Sequence, residues 1–346
     1  MFSQYRMCKE GQTIPESSSD DNADYIPDTH HEDDDQPDNT EDVKMEIVWF
    51  NVYNMTVLHL LALYGFYQSL FYATWPTIVF SWLLYIFGGL GITAGAHRLW
   101  AHKSYKATPF LRGFLMVCQT LAGQDDLYKW SRDHRVHHKW SETHADPYNA
   151  NRGMFFSHIG WLLIKKHPDV MKYGNKLNYD DILSDPIVKF QRKYYQPLFW
   201  SICALMPTLV PYFGWGEHPF VAFTVAGCAR YVFTLHMTWL VNSLAHYYGI
   251  RPYDSKINPA ENRLVSLGAI GEGFHNFHHS FPFDYQTSEM GYSLNITTMF
   301  IDLMYFFGQA YDLRTVSKSV IEGKKERTGD KSGVRRFFRP TYGKTQ

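Results

Sequence analysis

Long apolar, nearly uncharged runs alternate with polar stretches along this chain. Ile47 to Phe71 is one such run, and Trp75 to Ala96 is a second. A third lies between Leu198 and Trp215, and a fourth between Phe220 and Ala245. About 20 apolar residues cross a bilayer core of roughly 30 Å, so all four qualify on length, the third being the shortest. Pro207 and Pro211 lie in that third run, and neighbouring helices can re-satisfy the carbonyls they free. Arg230 lies inside the fourth and requires a polar partner or an interfacial route. Only residues 72–74 separate the first two runs, and the GWGEHP stretch joins the last two. The pattern predicts an all-α integral membrane protein with four transmembrane helices in two hairpins.

Between the hairpins, residues 97–194 hold sixteen Lys or Arg against nine Asp or Glu. The positive-inside rule places this loop in the cytosol as a helical cap, and four spans then return both termini to the cytosol. Within the cap, PFLRGFLMVCQTLAG at 109–123 reads either as an amphipathic helix at the membrane interface or as an ordinary core helix. The same two readings hold for Thr297 to Tyr311.

The ends differ from the middle. Asp20 to Asp42 contains eleven acidic residues and no Lys or Arg, too little apolar surface to offset the entropy of ordering. Three parts are therefore expected: a disordered acidic tail over 1–43, a membrane domain over 44–322, and a basic, flexible tail over 323–346. His30 and His31 belong to the solvated first tail. The start MFSQYRMCKEG has no apolar stretch of the kind a cleaved signal peptide carries.

Composition changes the picture at one point. The mean hydropathy of −0.31 averages polar ends with apolar runs and says little. A net charge of −1 gives no sign of nucleic acid as a partner. The four cysteines form no C-x-x-C and no disulfide framework. Histidine is the anomaly, with 17 residues. HRLWAH occupies 97–102, HRVHH 134–138 and HNFHH 275–279. In the last two the histidines fall at i, i+3 and i+4, one face of a helix. His59 and His236, lone histidines on apolar faces, read as satisfied core residues.

Helix length adds a second argument. Trp75 to His97 and Phe220 to Asn242 are each 22 residues, about 33 Å of helix at 1.5 Å per residue. Both helices would deliver their ends, His97 on one and Asn242 with His246 on the other, to the cytosolic boundary. Structural zinc takes four ligands and usually employs cysteine, whereas eight or more clustered histidines suit two metals. The pair of Glu-x-x-His motifs that soluble di-iron bundles use is absent. An all-histidine metal pair beside a membrane points to oxygen activation on a lipophilic substrate.

GITAGAHRLWAHKSYKA, WSRDHRVHHKWSETHADPYN, SHIGWLLIKKHP, TWLVNSLAHYYG, RPYD and GEGFHNFHHSFPFDY resemble, in this order, the segments of the animal stearoyl-CoA desaturase family. The resemblance covers roughly Lys44 to Asp330, and NPAE at 258–261 is similar to a variable motif of insect members. It implies two iron ions held by His97, His102, His134, His137, His138, His246, His275, His278 and His279. Asn242 matches a residue that holds a metal-bound water, and His144 a neighbour that is not a ligand. The implied reaction inserts a cis double bond, by family default at the ninth carbon, into a long-chain fatty acyl-CoA with O2. Electrons would come from cytochrome b5 and its reductase in the endoplasmic reticulum membrane, since no haem, flavin or fused HPGG motif is present.

The resemblance further implies a kinked acyl tunnel beside Gln124, Trp130, Thr238 and Trp239, ending at Tyr85 and Gly89. Asn51, Arg132, Asp133, Lys165 and Lys166 match contacts to the CoA head, although both lysines also suit an interfacial position. Phe50 replaces a usual arginine. Asp125 replaces a usual asparagine, and its charge is expected to repel the CoA phosphates. Two other readings compete with this one: a lipid hydroxylase on the same metal site, distinguished by an alcohol product, and a four-span metal transporter, which would carry its ligands inside the spans.

Overall fold

The computed structural model describes residues 45–332 together with Pro37. The acidic tail expected over 1–43 otherwise lies outside the described residues. Helix α1 covers Trp49–Phe71 and α2 covers Trp75–Ala101. In the cap, α3 covers Pro109–Ala122, α4 Leu127–Lys139 and α5 Pro168–Gly174. Two further long helices follow, α6 over Tyr195–Trp215 and α7 over Pro219–Tyr247. The C-terminal part adds α8 (His275–Ser280), α9 (Ile296–Phe306) and α10 (Lys318–Thr328).

Among the described residues, three helices are long and apolar enough to cross a membrane: α2, α6 and α7. Helix α1 has the length, at 23 residues, but Asn51, Asn54, His59, Gln68 and three tyrosines dilute its apolar character. It packs along the first half of α7. A Cβ on Gly65 would lie 2.1 Å from the Thr224 carbonyl oxygen, so only glycine allows this approach. Thr224 Oγ1 then donates to Gln68 Oε1 across the contact.

The two tight turns are joined. Glu217, just past α6, accepts from the Thr74 amide at 2.9 Å, from Thr74 Oγ1 at 2.7 Å and from Thr77 Oγ1 at 2.6 Å. Arg230 finds its polar partners as the apolar surroundings demand. Its guanidinium donates to the carbonyls of Ala226 (3.1 Å), Leu121 (3.0 Å) and Cys203 (3.1 Å). The Cys203 carbonyl is available because Pro207, four residues on, has no N–H to give it.

Helix α2 is regular only to Leu90; from Gly91 to Ala101 it runs in wide turns with i→i+5 bonds. A Cβ on Gly91 would meet Gln119 N at 2.1 Å, so α2 and α3 touch backbone to backbone. Helix α3 buries Leu111, Leu115 and Met116, leaving Phe110 and Val117 outward. Helix α9 buries Thr297, Thr298 and Ile301 and exposes Met299, Leu303 and Phe306. An ordinary core helix would bury such an apolar face, which favours the interfacial reading of α9.

Three differences from the sequence reading stand out. The segment expected to run helically to Tyr311 stops at Phe306, and Gly308 turns the chain at φ +67°. Ala310–Tyr311 (β2) then pairs antiparallel with Lys106–Ala107 (β1), the one two-stranded sheet among the described residues of a chain expected to be all-α. The boundary expected at 322 falls within α10, whose Thr328 Oγ1 donates to the Tyr253 carbonyl at 2.7 Å.

Candidate metal and substrate site

The nine histidines meet in two groups. His97, His102, His134, His138 and His278 form one, and His137, His246, His275 and His279 form the other. In the first, Nε2 of His97 lies 2.8 Å from that of His278, which lies 2.9 Å from that of His138. Nε2 of His102 lies 2.8 Å from that of His134. In the second, Nε2 of His275 lies 3.1 Å from that of His246 and 3.2 Å from that of His279. The rings of His138 and His279 stack at 4.1 Å, so the groups share a wall.

Local backbone explains each contribution. Helix α4 starts at the Asp126 N-cap, which accepts from Lys129 N, and presents His134, His137 and His138 along one face. Because these lie at i, i+3 and i+4, His134 and His138 enter one group and His137 the other. His97 and His102 are five apart, which in a regular α-helix leaves them roughly 140° out of register. The i→i+5 turns of α2 bring them together, with ring centroids 4.9 Å apart. Helix α7 breaks at Ser243, and the short turn beyond it aims His246 inward.

Three carboxylates behind the imidazoles were not singled out from the sequence. Glu272 holds His97 Nδ1 at 2.9 Å, Asp146 holds His137 Nδ1 at 2.9 Å, and Glu142 holds His246 Nδ1 at 3.1 Å. Each fixes the ring with Nε2 toward the group, the arrangement that metal-binding histidines use. Glu272 is in turn held by Arg98, fully buried, at 2.9 Å. Burial pushes the Glu272 carboxyl up, but Arg98 and His97 overrule it and hold it at about 2. All three sit in the quoted motifs GEGFH and WSETHADP, yet only folding puts them beside a ligand.

The donor set fits a metal pair. Imidazole nitrogens about 2.0–2.1 Å from a shared ion stand roughly 3 Å from one another, as the closest Nε2 pairs here do. His137 Nε2 is buried without any hydrogen-bond partner, the state of a ligand atom reserved for a metal. Burial first, and neighbouring imidazoles second, hold His134, His138, His275, His278 and His279 well below the ordinary histidine range. Neutral rings are what coordination requires. Asp146→Asn is expected to lower metal affinity about 10–100-fold, read as metal per chain after dialysis against a weak chelator.

A cavity opens beside the first group. His97, His134 and His275 stand at one end, with Asn242 and Trp130 beside them, and Tyr85 and Gly89 line it farther along with Gly268 and Ile270. Tyr85 OH donates to the Gly268 carbonyl. An adjoining cavity is lined by Gln124, Asp125, Trp130, Asp133, Thr238 and Trp239, again with Asn242. Gln124 Nε2 donates to Thr238 Oγ1 at 2.9 Å, and Trp130 stacks on His134 with centroids 5.0 Å apart.

The residues matched to a CoA head are placed as follows. Asp133 is gripped by Arg132 at 2.7 Å and by Lys166. Burial pushes its carboxyl up, but Lys166, Arg132 and Lys129 hold it at about 2. Lys165 pairs with Glu46, and Asn51 Nδ2 donates to the Leu162 carbonyl at 2.8 Å, tying α1 to the cap. Asp125 adopts φ +66°, a conformation asparagine and aspartate tolerate, and pairs with Lys129 at 2.9 Å. The repulsion of phosphates expected from its charge is thereby offset, so Asp125→Asn should leave the KM for acyl-CoA within about two-fold.

His59 and His236 are satisfied as expected, but they are half-buried and not core residues. Their Nε2 atoms meet at 3.1 Å, and His236 Nδ1 lies 2.9 Å from His158 Nε2. His144 belongs to neither histidine group.

Comparison with known proteins agrees with this arrangement. The fatty acid desaturase family model matches residues 73–290. An acyl-CoA delta-9 desaturase of Acheta domesticus is 55% identical over 84% of this chain and 82% of its own. A delta(9)-fatty-acid desaturase of Caenorhabditis elegans is 54% identical over 80% of this chain and 82% of its own. The stearoyl-CoA desaturase of Homo sapiens is 51% identical over 86% of this chain and 87% of its own. This chain belongs to the fatty acid desaturase family, and so to a class of oxidoreductases.

Proposed function

We propose that this protein is an acyl-CoA desaturase that inserts a cis double bond, at the ninth carbon, into long-chain saturated fatty acyl-CoA. The observation that carries the reading is one of position: nine imidazoles converge, and three of them, His97, His134 and His275, line a cavity that also touches membrane-length helices. The named activities of the relatives from cricket, nematode and human support it. Two iron ions are the metals of this reading, with five histidines around one and four around the other. When bound, they supply activation of O2 and removal of hydrogen from an unreactive alkyl carbon.

The chain's own residues then fix where this happens. The cavity from Trp130 past Asn242 to Tyr85 and Gly89 receives the acyl chain, and the walls decide which carbons stand beside the metals. Gln124, Thr238 and Trp239 shape the bend. Arg132, Lys165 and Lys166 face the anionic CoA head, with Asp133 and Asn51 holding that surface in place. Electrons come from cytochrome b5 and its reductase.

The protein sits in the endoplasmic reticulum membrane with α1 as a fourth span beside α2, α6 and α7, and both termini in the cytosol. Tags at either end should be digested by protease in intact microsomes, and glycosylation of an N-terminal tag would reject the four-span arrangement. The function itself is tested by expression in a desaturase-deficient yeast with double-bond mapping of the fatty acids. Growth rescue with ninth-carbon alkenes is expected; hydroxylated products or no product would refute it.

A further inference from the structure

In the loop before α8, Ile270 adopts φ +48°. The left-handed region crowds the Cβ of any L-residue, and a branched side chain there is a genuine outlier. Glycine or asparagine would occupy the position at lower cost. Strain of this kind persists only where the surroundings hold it, and it gathers at functional sites. Here the holding groups can be named. The Ile270 carbonyl accepts from Thr297 N at 3.2 Å and from Thr297 Oγ1 at 2.9 Å. With its hydroxyl proton engaged there, Thr297 Oγ1 accepts in turn from Thr93 Oγ1 of α2 at 2.8 Å. On either side of Ile270, Gly271 N donates to the Ser266 carbonyl at 2.9 Å and Tyr85 OH donates to that of Gly268.

The strained backbone directs one side chain. Ile270 is 3% exposed, packs with Tyr85 and Leu90, and lines the cavity beside Gly89. Its terminal methyl, Cδ1, lies 2.9 Å from where a Cβ on Gly89 would stand, whereas its Cγ1 lies at an ordinary 3.6 Å. The space left by the missing side chain of Gly89 is thus taken by the tip of Ile270. Two residues on, the same loop sets Glu272 against His97. One short segment therefore fixes both this wall and a ligand of the metal centre.

We propose that Ile270 is a specificity-determining residue, whose tip closes the cavity away from the histidines and, with Gly89, sets the length of acyl chain accepted. The inference rests on the acyl-CoA desaturase reading and adds to it a determinant of chain length. The latch of Thr93 and Thr297 keeps the tip in place by holding the backbone where a branched residue would not otherwise stay.

The test is the ratio of activity on twenty- to eighteen-carbon acyl-CoA, measured on the full chain in yeast microsomes. Ile270→Val deletes only Cδ1 and should raise that ratio about 10-fold or more, since one methylene in an apolar pocket is worth about 10–200-fold. The double bond should stay where the parent places it, because the histidine end of the cavity is untouched. Gly89→Ala alone pushes Cδ1 into the cavity and should lower the ratio. In Gly89→Ala with Ile270→Val, the new methyl replaces the deleted one, and the ratio should return to within about two-fold of the parent's. An unchanged ratio in Ile270→Val, whether or not total activity falls, overturns the assignment and leaves Ile270 as core packing alone. A double variant that keeps the ratio of Ile270→Val overturns it too. Absence of alkene from the parent on either substrate would overturn the desaturase reading and this inference with it, whereas alkene with an unchanged ratio overturns this inference only.

Discussion

His137→Ala is expected to abolish desaturation while the protein still inserts into the membrane and folds. His137 is the one member of the four-histidine group supplied by α4, and its Nε2 is buried with no other partner. Alanine would open a coordination position and leave Asp146 with only the amides of Glu142 and Tyr148 to accept from. Removing only the partner of a ligand costs about 10–100-fold in metal affinity or activity, so loss of the ligand itself should exceed about 100-fold. The packing cost is small beside this, because the pocket is made of polar rings. His144→Ala serves as the control and should keep near-normal turnover, since His144 is in neither group. Acyl-CoA turnover in microsomes, with protein level read by immunoblot, decides the matter. Near-normal turnover of His137→Ala would sink the assignment of the site.

Gly89→Tyr should shift preference toward shorter acyl chains without moving the double bond. Gly89 and Tyr85 line the cavity together, and the family resemblance implies that the methyl end lies beside them. The competing account is that Gly89 merely lets two helices approach. The contacts argue otherwise. A Cβ on Gly89 would meet only Ile270, at 2.9 Å from its terminal methyl, the movable end of a side chain. Gly65 and Gly91, by contrast, face backbone atoms of a neighbouring helix at 2.1 Å. One methylene in an apolar pocket is worth about 1–3 kcal/mol, and a phenol ring excludes several carbons at once. The ratio of activity on eighteen- to fourteen-carbon acyl-CoA should therefore fall at least about 10-fold. An unchanged ratio in well-folded protein would reject Gly89 as a determinant of chain length.

Much of the site could be read from the chain because its spacing is local. The triplets at 134–138 and 275–279 lie on single helical faces whatever the rest of the fold does. What could not be read depends on departures from regular geometry or on distant partners. His97 and His102 share a face only because α2 widens after Gly91, and no periodicity announces that. Glu142, Asp146 and Glu272 are ordinary acidic residues until the fold sets each against an imidazole. Asp125 was read by its charge alone, yet Lys129, one turn on, offsets it. Helix α1 was legible as a helix, but its polar and aromatic residues make its span character weaker than that of α2, α6 or α7.

The three carbonyls around Arg230 also constrain how the protein is made. Arg230 lies 11 residues into α7, about 16 Å along it and so near mid-membrane. An unpartnered arginine at such a depth costs about 2.5–3.5 kcal/mol at the translocon. Of its partners only Ala226 is on the same helix; Cys203 belongs to α6 and Leu121 to α3. Helix α7 therefore inserts at a penalty until α6 lies beside it and α3, already synthesised, has docked against both. The second hairpin is therefore expected to enter as a unit, against a cap that is in place before it.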